Sequence, residues 1–76
     1  MDVPTHNYIL ERLEALKNSG FLSEYLIAWS GPSGKLVPDV TVWPGQCQET
    51  HLRERLVDLI GKFVPHSRIV VLRDEP

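Results

Sequence analysis

The sequence predicts an α+β fold, a two-layer αββαβ sandwich in which two helices cover one face of a three-stranded mixed sheet. Two segments have apolar residues at helical spacing, and three short segments are rich in Val, Ile and Trp with the alternation of strands. Because a helix connects the second and third strands, a right-handed crossover lays them parallel. The 76 residues show no internal repeat or linker and are expected to form a single domain, 1–76.

The first three elements follow from local signals. "THNYILERLEALKNSG", residues 5–20, is typical of a helix, with Thr5 as its N-cap and Gly20 placed to end it. "EYLIAWS", 24–30, and "KLVPDVTVW", 35–43, alternate as two strands of a hairpin. Pro38 has no amide hydrogen, which predicts an edge strand or an irregular strand start at that position.

The second helix has the strongest pattern. Its apolar residues recur at i, i+4, i+7, i+8 and i+11, on Leu52, Leu56, Leu59, Ile60 and Phe63. Pro65 is predicted to end it, because proline cannot continue a helix. "SRIVVLR", 67–73, is then predicted as the third strand, with apolar residues on both of its faces.

The stretch "GPSGKL" invites comparison with a phosphate-binding loop. Such a loop needs four residues between its glycines, then Lys followed by Ser or Thr, then a helix. Here two residues separate Gly31 from Gly34, Leu36 follows Lys35, and a strand comes next. We therefore interpret the stretch as the hairpin turn and expect no nucleotide binding.

Composition and charge exclude other classes of function. A net charge of −2 gives no basic patch for nucleic acid or an anionic membrane. The single Cys47 rules out an intramolecular disulfide and favours a reducing cytoplasm. The longest apolar runs are "LIAW" and "IVVL", far too short for a membrane span, and the N-terminus has no signal-like pattern.

Cys47 and His51 are four residues apart, the spacing that brings two side chains together on one face of a helix. A thiolate beside an imidazole suits metal binding or nucleophilic chemistry, whereas the ordinary alternative is a half-buried cysteine and a surface histidine. No nucleophile, base and oxyanion donor can be assembled from the chain, so we expect no enzyme. A small metal sensor or an enzyme built on Cys47 and His51 is the competing hypothesis.

The aromatic residues of the hairpin suggest an interaction surface. If the helices cover the side of Leu26, Val40 and Val42, the other side carries Tyr25, Ile27, Trp29 and Trp43. An uncovered aromatic patch of this kind marks a protein interface. The alternative places the aromatics in the core and the smaller aliphatic side chains outside.

Three stretches, "SGPSGKL", "QETHLRERLVDLI" and "VVLRDEP", give the chain a resemblance to a known family. It resembles the cytoplasmic C-terminal domain of the cation diffusion facilitators, which export zinc and related divalent metals. The matching pieces are Ser30-Gly31-Pro32, Glu49-Thr50-His51 and Glu75-Pro76. The resemblance implies an αββαβ fold and pairing as a homodimer.

The resemblance also implies a partial ligand set. His51 takes the place of a helix histidine, Glu75 that of a C-terminal carboxylate, and Asp39 lies near a strand histidine. Arg73 stands where the family has another histidine, and arginine does not ligate a divalent cation. At most weak binding of zinc or another divalent metal is implied.

Together these patterns predict a non-catalytic association or regulatory module that binds itself or another protein. Ring-building domains of secretion systems share the αββαβ order, so an assembly domain or a subunit of a larger complex is the structural alternative.

Overall fold

The computed structural model of the chain describes residues 3–46 and 48–72 and has the predicted α+β architecture. Its helices are α1, Val3–Asn18, and α2, Glu49–Ile60. Its strands are β1, Leu22–Ser30, β2, Val37–Pro44, and β3, Ile69–Val71, the last preceded by a short 3₁₀ turn at His66–Arg68. Within these ranges neither helix combines the length and apolarity of a membrane span.

The sheet has the order β1-β2-β3. β1 and β2 form the antiparallel hairpin, and β3 runs parallel to β2, with Val40 beside Ile69 and Val42 beside Val71. The predicted parallel arrangement of the second and third strands is therefore confirmed. β2 is the central strand, and β1 is a nine-residue edge strand.

The core lies between the helices and one face of the sheet. It is entirely apolar, since no polar or charged side chain is buried among the described residues. Its members are Ile9, Leu13, Leu16, Leu22, Val40, Val42, Leu52, Leu56, Ile60, Val64, Ile69 and Val71. Burial of these side chains is the main stabilising contribution to a domain this small.

The predicted end of α1 is confirmed and its predicted start is wrong. Gly20 has φ +88°, and its N–H bonds the carbonyl of Lys17 while Phe21 N–H bonds that of Leu16. These two bonds make a Schellman cap. At the other end the helix already includes Val3, so Thr5 lies inside the first turn and is not the N-cap.

Two other sequence expectations also need correction. α2 ends at Ile60, before Pro65, with Gly61 at the C-cap position, and Phe63 lies beyond the helix with 40% of its surface exposed. The edge-strand interpretation of Pro38 is wrong, because Pro38 is buried in central β2; the alternative, an irregular strand start, agrees with its place as the second residue of that strand. The sheet tolerates this proline because β3 pairs with β2 only from Val40 onward. No hydrogen bond between these two strands is therefore lost at Pro38.

The loops at the base of the hairpin hold each other in place. Gly45 N–H donates to the carbonyl of Phe21 at 3.0 Å, and Gln46 N–H donates to that of Gly20 at 2.9 Å. The α1–β1 loop therefore packs directly on the β2–α2 loop. This contact fixes the entry of α2 relative to the end of α1.

Candidate functional site

The side chains of the hairpin divide between the two sheet faces differently from the prediction. Tyr25 lies opposite Val42 and Ile27 opposite Val40. Directly paired residues share a face, so these β1 side chains point toward the helices with the buried valines, and both pack against the core. Leu26 instead lies opposite Thr41 and is 56% exposed. The predicted grouping of Leu26 with Val40 and Val42 is therefore wrong.

Trp29 belongs to the helix side and contacts α1. It is half-buried, and its Nε1–H donates to His6 Nδ1 at 3.0 Å with the two ring centroids 6.2 Å apart. Trp29 lies opposite buried Pro38 in the ladder. It is thus part of the contact between α1 and β1, and it does not lie on the uncovered face.

Tyr25 contacts the same helix about two turns nearer its C-terminal end. Its hydroxyl donates to the Glu14 carboxylate, and Lys17 Nζ lies 5.9 Å from the ring centroid. Partial burial, with the adjacent Glu14 carboxylate, raises the pKa of Tyr25 to about 12. Tyr25, Ile27 and Trp29 together form the α1 flank, the strip of side chains between α1 and the outer edge of β1.

Trp43 is the predicted interface residue that lies on the other side of the sheet. It alternates with buried Val42 and is half-buried. Around it the uncovered side presents an apolar surface, the open face, made of Leu26, Thr41, Trp43, Val70 and Leu72.

The open face crosses all three strands. Leu26, Thr41 and Val70 form one row, because Thr41 pairs with both of the others. Leu72 N–H donates to the carbonyl of Val42 at 2.9 Å, which continues β3 and brings Leu72 alongside Trp43. Val70 and Leu72 are each 40% exposed. The sequence signal for them was the strand with apolar residues on both faces.

A charged cluster bounds one end of the open face. Arg68 Nη1 donates to Asp39 Oδ1 at 2.7 Å and to Ser30 Oγ at 3.1 Å, and Ser30 Oγ donates to Asp39 Oδ2 at 2.7 Å. The Ser30 hydrogen bond and the Arg68 guanidinium hold the pKa of Asp39 below its usual value. One residue comes from β1, one from β2 and one from the turn before β3, so the cluster ties the three strands together.

The outer edge of β1 is a second distinctive surface. The N–H of Tyr25 donates to the carboxylate of Glu24 at 3.1 Å, so this amide points away from β2. Amides alternate in direction along a strand, and those of Ile27 and Trp29 therefore also point outward. The bond from the Tyr25 amide, with Lys17 Nζ at 3.3 Å, lowers the pKa of Glu24.

Of the residues implied as metal ligands, Asp39 and His51 do not come together. Asp39 is on the open side of the sheet, within the cluster of Ser30 and Arg68, whereas His51 is exposed on α2, which covers the opposite side. A sheet with a packed helix layer separates them. The described ranges hold no group of three or more His, Cys, Asp or Glu residues suited to a metal ion. Cys47 and Glu75 lie outside those ranges.

His51 instead lines a shallow groove of about 410 Å³ on the surface of α2. Phe21 forms one wall, and the remaining lining residues, Glu54, Arg55 and Asp58, are charged and exposed.

Comparisons of the chain with models of protein families, with curated proteins and with solved structures gave no match.

Proposed function

We propose that this chain is a non-catalytic association module that pairs with a second copy by stacking the two open faces. The observation that carries the proposal is the position of both helices on one side of the sheet. The other side is left with Leu26, Val70 and Leu72, three large apolar side chains that are each at least 40% exposed. Contiguous exposed apolar surface is characteristic of interaction sites.

The composition of the open face supports this reading. Trp43 lies within the apolar patch, and tryptophan is among the residues most enriched at the energetic centres of interfaces. The Ser30–Asp39–Arg68 cluster provides a polar boundary, as interface rims do. Pairing also agrees with the homodimer implied by the resemblance to cation-efflux cytoplasmic domains.

The experiment compares two lysine substitutions at residues of similar exposure. Val70→Lys places a charge in the open face, whereas Leu36→Lys places one in the hairpin turn, where Leu36 is 42% exposed. Sedimentation velocity over a wide range of protein concentration measures self-association. We expect Val70→Lys to weaken it roughly thirtyfold, which corresponds to about 2 kcal/mol, and Leu36→Lys to leave it unchanged.

Trp43→Ala supplies the second variant, with the same expected direction. Equal effects of Val70→Lys and Leu36→Lys would contradict the proposal. A wild type that stays monomeric at every concentration would remove the second copy as occupant of the open face. A different protein that docks on the same residues would then be the alternative.

A further inference from the structure

We propose that the free edge of β1 pairs antiparallel with β1 of a second copy, about a two-fold axis at Ile27, to form one six-stranded sheet. This contact uses the backbone edge and the α1 flank. It shares only Leu26 with the open face and does not depend on the stacking proposed above.

The chemistry of the edge selects an extended strand as partner. β1 is nine residues long, and within residues 3–46 and 48–72 no strand lies along its outer side. The Tyr25 amide points outward, so the N–H and C=O groups of Ile27 and Trp29 point outward as well. A row of such groups is a template for another strand.

The sequence of β1 favours its own copy in one register. With the axis at Ile27, this residue meets Ile27 of the second copy, and Tyr25 meets Trp29 on the helix side. On the open side Leu26 meets Ala28. Aromatic and aliphatic cross-strand pairs of this kind stabilise sheets. An axis shifted to Tyr25 would instead place Glu24 directly opposite Leu26.

The ends of the paired strands bring polar groups together. Glu24 comes opposite Ser30 of the second copy, whose hydroxyl lies 3.1 Å from Arg68 Nη1 and 2.7 Å from Asp39 Oδ2. The Glu24 carboxylate therefore approaches the Ser30–Asp39–Arg68 cluster, and the two-fold axis repeats this contact at the other end. In the single chain the N–H of Tyr25 donates to the Glu24 carboxylate. Pairing replaces this bond with a backbone hydrogen bond to the second copy.

Pairing also places an acidic group of one copy near the α1 N-terminus of the other. Glu14 accepts a hydrogen bond from Tyr25, and His6 accepts one from Trp29. Pairing of Tyr25 with Trp29 therefore brings Glu14 toward His6 of the second copy. His6 lies near the N-terminus of α1, the end of a helix that favours negative charge. The two α1 helices would run antiparallel across the axis.

The test is a cysteine crosslink that occurs only between two different variants. In a Cys47→Ser background, Leu26→Cys and Ala28→Cys are prepared separately; both positions are exposed, so both proteins should fold. In the proposed register residue 26 lies opposite residue 28, with Cα atoms about 4.5 Å apart, within disulfide range. Identical positions lie on the diagonal at about 7–8 Å, which is too far.

We expect a glutathione redox buffer to crosslink the mixture into a covalent dimer and to leave each variant alone monomeric. Mass spectrometry of the dimer identifies the two joined positions. Equal crosslinking of the mixture and of the separate variants, or none in the mixture, would overturn the proposed pairing.

Ile27→Pro provides an independent measurement. Its N–H does not face β2, so proline removes an outward donor without breaking the hairpin ladder. We expect the crosslink to disappear when this change is added to both variants, with the far-ultraviolet circular dichroism retained. A persisting crosslink would overturn the proposal. Val70→Lys, added in the same way, should leave the crosslink intact, which separates this contact from stacking of the open faces.

Discussion

Removing the hydrogen bond between Trp29 and His6 tests the corrected position of the tryptophan. Trp29→Phe keeps an aromatic ring and removes the Nε1–H donor, whereas His6→Ala removes the acceptor and its ring. The bond is 3.0 Å long and partly buried, and it joins β1 to α1 across 23 residues of sequence. A tryptophan on the uncovered face would have no contact with His6.

The size of the effect follows from these contacts. A hydrogen bond between neutral groups contributes about 0.5–1.5 kcal/mol to stability. The rings, at a centroid distance of 6.2 Å and an angle of 41°, add a smaller contact term. We therefore expect a coupling free energy of about 1 kcal/mol in a double-mutant cycle. Each single variant should melt roughly 4–8 °C lower for each kcal/mol lost.

Urea unfolding of the four proteins measures the cycle, at concentrations where sedimentation shows a single copy. Trp43→Phe combined with His6→Ala is the control, since Trp43 lies on the open face, and its effects should add. A coupling below about 0.3–0.5 kcal/mol, the ordinary error of additivity, would refute the contact between Trp29 and α1.

Three further predictions concern the loops and the charged groups. Gly45→Ala should cost about 1–3 kcal/mol in chemical denaturation, because its Cβ would overlap the carbonyl oxygen of Gly20; wild-type stability would contradict this packing. The pKa of Tyr25 is raised from 10.0 in the unfolded chain to about 12 in the folded chain. The neutral Tyr25 side chain therefore stabilises the fold below pH 10, and this contribution is lost as the pH rises toward 12. Tyr25→Phe should therefore flatten the alkaline limb of a stability-versus-pH curve, and an unchanged limb would argue against the assignment. The pKa of Asp39 is lowered in the folded chain, so its contribution to the free energy of unfolding has the opposite pH dependence. That contribution is present above the unfolded pKa near 3.9 and is lost as the pH falls through the folded value. Asp39→Asn should reduce the loss of stability in acid, relative to Glu54→Gln on exposed α2 surface as a control, and equal acid sensitivity of the two variants would contradict this contribution of Asp39.

The order of elements was predictable because each one has its own local signal. The spacing of Leu52, Leu56 and Ile60 defines α2, and Gly20 supplies the positive φ that ends α1. The N-terminal start of α1 was missed because proline at the second position of the observed helix is compatible with a first turn. Pro65 was predicted to end α2, but the helix already ends at Ile60, with Gly61 at the C-cap position.

The division of side chains between the two faces was not predictable from local signals. Alternation along a strand is visible in the sequence, but the phase between two strands depends on their register, which the turn conformation sets. Here Ser30 pairs with Val37, which places odd-numbered residues of β1 opposite even-numbered residues of β2. A shift of one residue would have put Leu26 beside Val40 or Val42. The turn "GPSGKL" does not by itself specify that choice.

The separation of Asp39 from His51 has the same origin. Asp39 follows buried Pro38 and precedes buried Val40, so its side chain must point away from α2. A resemblance that aligns motifs along the chain carries no information on which face a strand residue occupies. The contact of Asp39 with Arg68 depends on the crossover that places β3 beside β2, and it joins residues 29 positions apart.

The two proposed contacts act in perpendicular directions and do not compete. Pairing at β1 extends the sheet within its plane and leaves Trp43, Val70 and Leu72 uncovered on a surface twice as wide. Stacking of open faces then covers that surface from outside the plane. When the in-plane two-fold axes of stacking cross the axis at Ile27, four copies close with D2 symmetry, a common arrangement of soluble oligomers. Closure removes both the free strand edge and the apolar face, so the same geometry that supports association also limits it to a finite assembly.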